Sequence, residues 1–144
     1  MLLGTHDHTL DDKNRLTLPA KFRESFAESF VIARGLDRCL RAYRREDWDR
    51  LVESRLAPLD PFSQEARRIQ RYHYTGATEA ELDKQGRVMI PAKLLELGGI
   101  TREVVVVGMR DHVEIWDREA WAREAAAVEG SAEDVAERLA AKND

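Results

Sequence analysis

The sequence predicts a mixed α+β, β-rich fold in which two similar halves pair about a pseudo-twofold axis and share one β-barrel-like core. Three observations lead there. "LDDKNRLTLPAKFRE" (Leu10–Glu24) recurs 72 residues later, without a gap, as "LDKQGRVMIPAKLLE" (Leu82–Glu96). One register step further, at 73, "FVIARGLDRCLRAYRREDW" (Phe30–Trp48) matches "EVVVVGMRDHVEIWDREAW" (Glu103–Trp121), with Gly35 on Gly108, Tyr43 on Trp116 and Trp48 on Trp121. Two blocks in order, with glycine and aromatic positions kept, mark an internal duplication. Finally, each half holds roughly 45 residues, too few for a robust core of its own, so the halves must share one.

Each copy has the same layout. A short strand enters an Asp-rich turn, and an apolar strand leaves it ("RLTLP", "RVMIP"). A short helix begins at Pro19 or Pro91, where a missing N–H is harmless. The second of these helices stops at Gly98-Gly99. A hairpin follows, "FVIAR" with "CLRAY" in the first copy and "VVVVG" with "HVEIW" in the second. Helices then start at "REDW" and "REAW". Trp48, Leu51 and Val52 form one apolar stripe, and Trp121, Ala125 and Val128 its counterpart.

Between the copies, Pro58 and Pro61 act as breaks. A helix after them places Phe62, Ala66, Ile69 and Tyr72 or His73 inside, and Arg67, Arg68 and Arg71 outside. From Ser131 the chain is alanine- and charge-rich, and Ser131 suits a helix N-cap; a loosely docked helix and a frayed end both fit. The expected organisation is a first repeat at 1–53, a helical linker at 54–76, a second repeat at 77–128 and an acidic segment at 129–144.

A chain of 144 residues with 43% apolar and 35% charged side chains suits one compact unit with a well-solvated surface. No apolar run reaches the roughly 20 residues of a membrane span, and the start lacks a secretory pattern. One cysteine, Cys39, rules out an internal disulfide and fits a reducing cytoplasm. Residues 117–144 hold four basic and eight acidic side chains, which accounts for the whole net charge of −4 and leaves the repeats neutral. A basic face on the repeats therefore remains open.

The turns carry the chemistry. They read Asp11-Asp12-Lys13-Asn14-Arg15 and Asp83-Lys84-Gln85-Gly86-Arg87. Asn14 and Gly86 occupy equivalent places, and both tolerate a left-handed backbone. A tight turn results, with aspartate and arginine on its two arms, so that Asp11 can brace Arg15 and Asp83 can brace Arg87. Such a pair is a register staple on the plainer reading. On the functional one, Arg15 and Arg87 present fork-shaped donors suited to phosphate or to the O6/N7 edge of guanine. Lys13, Lys84, Lys21 and Lys93 would add phosphate contacts nearby. Two such turns on a symmetric scaffold can straddle a groove of duplex DNA.

The doubled pattern Leu-Asp-x-Lys-Gly-Arg-ψ-x-ψ-Pro resembles the MraZ family of bacterial transcriptional regulators, whose halves belong to the AbrB-like swapped-hairpin group. Leu10, Asp11, Lys13 and Arg15 carry it in the first copy, and Leu82, Asp83, Gly86 and Arg87 in the second. The resemblance extends to about Val128. It implies a duplicated swapped-hairpin (AbrB-like, double-psi-type) barrel with peripheral helices, assembly into closed homo-oligomeric rings, and contact of the Asp-x-x-x-Arg turns with double-stranded DNA. The implied targets are short promoter direct repeats upstream of the division and cell-wall gene cluster, usually for repression, in a cytoplasmic, nucleoid-associated setting. Asn14 stands where glycine is usual and Gln85 where the motif has lysine, so the two turns are unequal, with Lys84 positioned to stand in.

Other constellations are weaker. His6 and His8 share one side of a strand, but zinc needs more ligands than the sequence gathers there, and Cys39 reads as a small buried hydrophobe. Asp11 and Asp83 each have an arginine four residues on, which keeps them ionised and unsuited to proton transfer. No cofactor, metal or catalytic set is expected. The competing class is a non-catalytic oligomeric scaffold in which the turns are structural staples, and an enzyme is a distant third.

Overall fold

The computed structural model describes residues 1–142. The strands are β1 (Thr5–Thr9), β2 (Arg15–Thr17), β3 (Phe30–Arg34), β4 (Leu40–Arg44), β5 (Ala77–Ala80), β6 (Arg87–Met89), β7 (Glu103–Gly108) and β8 (His112–Asp117). A 3₁₀ helix, Ala20–Phe26, follows β2. The α-helices are α1 (Arg45–Leu51), α2 (Gln64–Thr75), α3 (Ala92–Leu97) and α4 (Arg118–Lys142). One π-helical turn, Val52–Leu56, continues α1.

Six strands form one antiparallel sheet in the order β1-β7-β8-β4-β3-β5. The repeats interlock in it. β1 of the first half lies on β7 of the second (His6 opposite Val106), and β5 of the second lies on β3 of the first (Thr78 opposite Ile32). β4 and β8 join the halves at the centre, Ala42 opposite Val113. Exchanging each strand for its repeat equivalent reverses the order without changing it, the mark of the expected pseudo-twofold. β2 and β6 pair with each other, Leu16 opposite Val88.

The expected barrel is not closed. The sheet ends at β1 and β5, and β2–β6 is a separate two-stranded ribbon. These two strands are three residues long, and their extension is spent on each other: the Leu18 amide donates to the Gly86 carbonyl at 3.0 Å and the Ile90 amide to the Asn14 carbonyl at 2.9 Å. Side-chain packing, not a ring of main-chain bonds, seats the ribbon on the sheet.

Strand alternation sorts the sheet into two faces. On one, Ile32, Val104, Val106, Val113 and Ile115 pack with Leu16, Leu18, Val88 and Ile90 of the ribbon and with Phe22 and Phe26. On the other, Cys39, Val105, Val107 and Trp116 pack beneath Ala120 and Trp121 of α4. The start of the acidic helix and the ribbon therefore lie on opposite faces of the sheet.

Several expected details differ. Pro19 and Pro91 are extended (ψ 136° and 140°) and cap the short helices from one residue outside, their carbonyls accepting from Phe22 and Leu94 at 2.9 and 3.0 Å. Ser131 caps nothing: α4 runs through it, and its hydroxyl donates back to the Ala127 carbonyl at 2.6 Å. The cap is Asp117, which accepts the Ala120 amide at 3.1 Å. Phe62 is exposed, because α2 begins after it with Ser63 as cap. After β4, the buried side chains are Asp47 and Leu56, while Trp48, Leu51 and Val52 are half-buried. Asp47 is admitted because Arg44 and Arg50 donate to it at 2.7 and 2.9 Å.

Candidate functional site

Five residues suffice to build each turn. The Asp11 amide donates to the Arg15 carbonyl and the Asn14 amide to the Asp11 carbonyl, both at 3.1 Å. Closing so tightly requires a left-handed residue, and Asn14 supplies it at φ 57°. The second turn repeats the wiring, with Asp83 to Arg87 at 2.8 Å, Gly86 to Asp83 at 3.0 Å, and Gly86 at φ 77°.

The aspartates fill these turns in the same way. Asp11 Oδ1 accepts the amides of Lys13 and Arg15, both at 2.9 Å, and Oδ2 accepts Arg15 Nε at 2.6 Å. Asp83 Oδ1 accepts the amides of Gln85 and Arg87 at 2.9 and 3.0 Å, and Oδ2 accepts Arg87 Nε at 2.8 Å. Donation from the Arg15 amide, then from its guanidinium and the Lys13 amide, lowers the Asp11 carboxyl to about 2. Asp83 is lowered for the corresponding reasons, the Arg87 amide first. Both stay ionised throughout the neutral range, the reverse of what an acid catalyst needs.

Each arginine thus spends its Nε on its own turn. Its Nη1 and Nη2 have no hydrogen-bond or ion-pair partner among the described residues. Within the ribbon, Leu16 and Val88 are buried, so Arg15, Thr17, Arg87 and Met89 occupy the other face. Arg15 is opposite Met89 and Arg87 opposite Thr17, which sets the two arginines on a diagonal about 7–8 Å across. Their side chains are 29% and 27% exposed, so one surface presents both.

The flanking residues fall around this surface. Lys13, Lys84 and Gln85 are exposed at the turn tips. Lys21 and Lys93 are exposed at the starts of the short helices. The wiring crosses here: Leu18 bonds to Gly86 and Ile90 to Asn14, so each strand of the ribbon runs out against the other repeat's turn. Sequence reading did not single out Thr17, Met89 or Arg23, which the fold places on or beside this surface. Alternation along "RLT" and "RVM" was the available signal for the first two; Met89, 60% exposed, stands opposite Arg15. Arg23 had no signal, because its place depends on the other repeat.

Elsewhere, the His6 ring meets Phe22 edge-on at 5.1 Å, and burial lowers the His8 pKa. Among the described residues no three His, Cys, Asp or Glu side chains converge as a metal would require. Cys39 is buried, and burial, with Glu114 nearby, pushes its thiol up to about 12. No helix among the described residues is long and apolar enough to cross a membrane.

A family model described as "MraZ protein, putative antitoxin-like" matches this chain twice, over residues 1–72 and again over 73–143.

Proposed function

The chain belongs to the MraZ family, and from that premise we propose that it is a transcriptional regulator that grips duplex DNA with the outer face of the β2–β6 ribbon and its two turns. The observation that carries this reading is the diagonal of Arg15 and Arg87: two guanidinium groups on one exposed face, each aimed by its aspartate, each with both terminal nitrogens unspent. A fork held in one orientation loses little freedom when it meets phosphate or guanine.

Charge placement supports the same reading. α4 begins behind the sheet, its Ala120 and Trp121 packed on the face away from the ribbon. The acidic groups of its first turn are thereby set at least one sheet layer, about 10 Å, from the ribbon, which matches the screening length of physiological salt. Each chain brings few cations, and a ring of chains on successive promoter repeats would raise avidity by roughly 10²–10⁴. The proposed targets are direct repeats upstream of the division and cell-wall gene cluster, the chain's own gene included, with repression as the outcome in the nucleoid. The carboxylates serve as braces and the protein is not an enzyme.

A second reading rests on the Asp–Arg bonds themselves: as complete staples, they could hold a scaffold that ignores DNA. A gel shift on the duplex upstream of the chain's own gene, at two salt concentrations, separates the two. Arg15→Ala or Arg87→Ala abolishes the specific shift while oligomer mass by light scattering is unchanged. Normal binding by both variants would assign the turns to structure alone.

A further inference from the structure

Arg23 lies in the 3₁₀ helix of the first repeat, yet its guanidinium rests on the turn of the second. A Cβ added at Gly86 would lie 2.8 Å from Arg23 Cζ and 2.6 Å from its Cδ, and nearer still to Nε. The head group is fixed there, because Nε donates to the Leu18 carbonyl at 3.0 Å. Leu18 is itself tied to this turn through its amide, which donates to the Gly86 carbonyl. Nη1 and Nη2 of Arg23 have no partner among the described residues, and no carboxylate there forms an ion pair with it.

The first repeat's turn has no such arrangement. The position equivalent to Arg23 is Leu95, buried in the core, and the position equivalent to Gly86 is Asn14, which carries a side chain where the second turn has none. Gly86 with Arg23, and Asn14 with Leu95, are two matched solutions. The second turn lacks the lysine that the first has at Lys13, Gln85 standing there instead. At the first turn the neighbouring cation, Arg102, lies 3.7 Å from Asp12, so one added charge offsets another.

We propose that Arg23 is a phosphate-contacting residue of the second turn, delivered across the repeat interface into the space that the side-chain-free, left-handed Gly86 leaves open. The inference rests on the DNA-binding reading above and deepens it. The two turns then differ in kind: the second sets three cations, Arg23, Lys84 and Arg87, around one carboxylate, Asp83, and anchors the backbone more firmly than the first.

The test is fluorescence anisotropy with the full chain and the labelled duplex from upstream of its own gene, titrated from low to physiological salt. Arg23→Gln lowers the slope of log K against log salt by about 0.9 for each chain engaged on the duplex, the loss of one phosphate contact per chain. Gly86→Asn, which installs the first turn's residue and displaces the arginine, lowers it equally, and the double variant loses no more than either single one. A folded but less stable variant retains the wild-type slope, so thermal unfolding of each variant separates stability from contact. If Arg23→Gln binds with the wild-type slope, Arg23 is a strut and the inference fails. If the wild-type chain binds no duplex, the DNA-binding reading fails first and takes this one with it.

Discussion

Leu16 lies opposite Val88 at the midpoint of the two-stranded ribbon, each buried and each the repeat equivalent of the other. The pair marks the place where the duplication meets itself. Because both point into the sheet, strand alternation forces Arg15 and Arg87 outward together. The apolar pair and the cationic face are two sides of one register.

Leu16→Ala therefore destabilises the fold by about 2–5 kcal/mol, the range for a fully buried leucine cut back to alanine. Urea unfolding checks it. Adding Val88→Ala costs less than the sum of the single effects, since the two share one packing site. Additive losses would show that the ribbon does not pack as a unit.

Asp11 makes the turn's strength depend on acid. Its folded pKa, about 2, lies below the unfolded value near 3.9, so ionised Asp11 favours the folded chain above about pH 4, and that contribution fades as pH falls towards 2. Asp83 is shifted the same way. Asp11→Asn flattens the dependence of melting temperature on pH between about 4 and 2, and at pH 5–8 lowers the melting temperature by an amount that does not vary with pH. Equal acid slopes in the two proteins would contradict the bracing.

Asn14 holds a left-handed backbone at φ 57°. Asn14→Ala costs about 1 kcal/mol and Asn14→Gly close to nothing, because alanine's Cβ crowds that conformation and glycine has none. A valine there, branched at Cβ, is worse than alanine. Thermal melts of the three variants rank them.

Cys39, fully buried and held as a thiol by a pKa near 12, is inert to a disulfide reagent at pH 8 in the folded chain. It reacts once urea opens the sheet. Prompt reaction under native conditions would place Cys39 at a surface and contradict the packing of Trp116 over it.

Much of this molecule was readable from residues alone because much of it is local. The turn needs Asp11, a left-handed Asn14 and Arg15 within five positions, and the helix stop needs Gly98 and Gly99. Such features are settled by φ preference and bonds between near neighbours, and repetition doubles the signal. The acidic bias of residues 117–144 was equally plain, whereas the helix crossing Ser131 was not: a short cap signal lost to the continuity of alanine-rich turns.

The sequence by itself determined that there are two copies, where their turns close and which residues brace them. Only the tertiary structure decided which copy each strand would join. When two repeats are nearly alike, pairing with oneself and pairing with the other offer similar main-chain bonds and similar apolar faces, so no local preference separates them; the burial of the whole chain does. That choice set β1 on β7 and β5 on β3, left the sheet open at both edges, started α4 behind it and carried Arg23 across to Gly86.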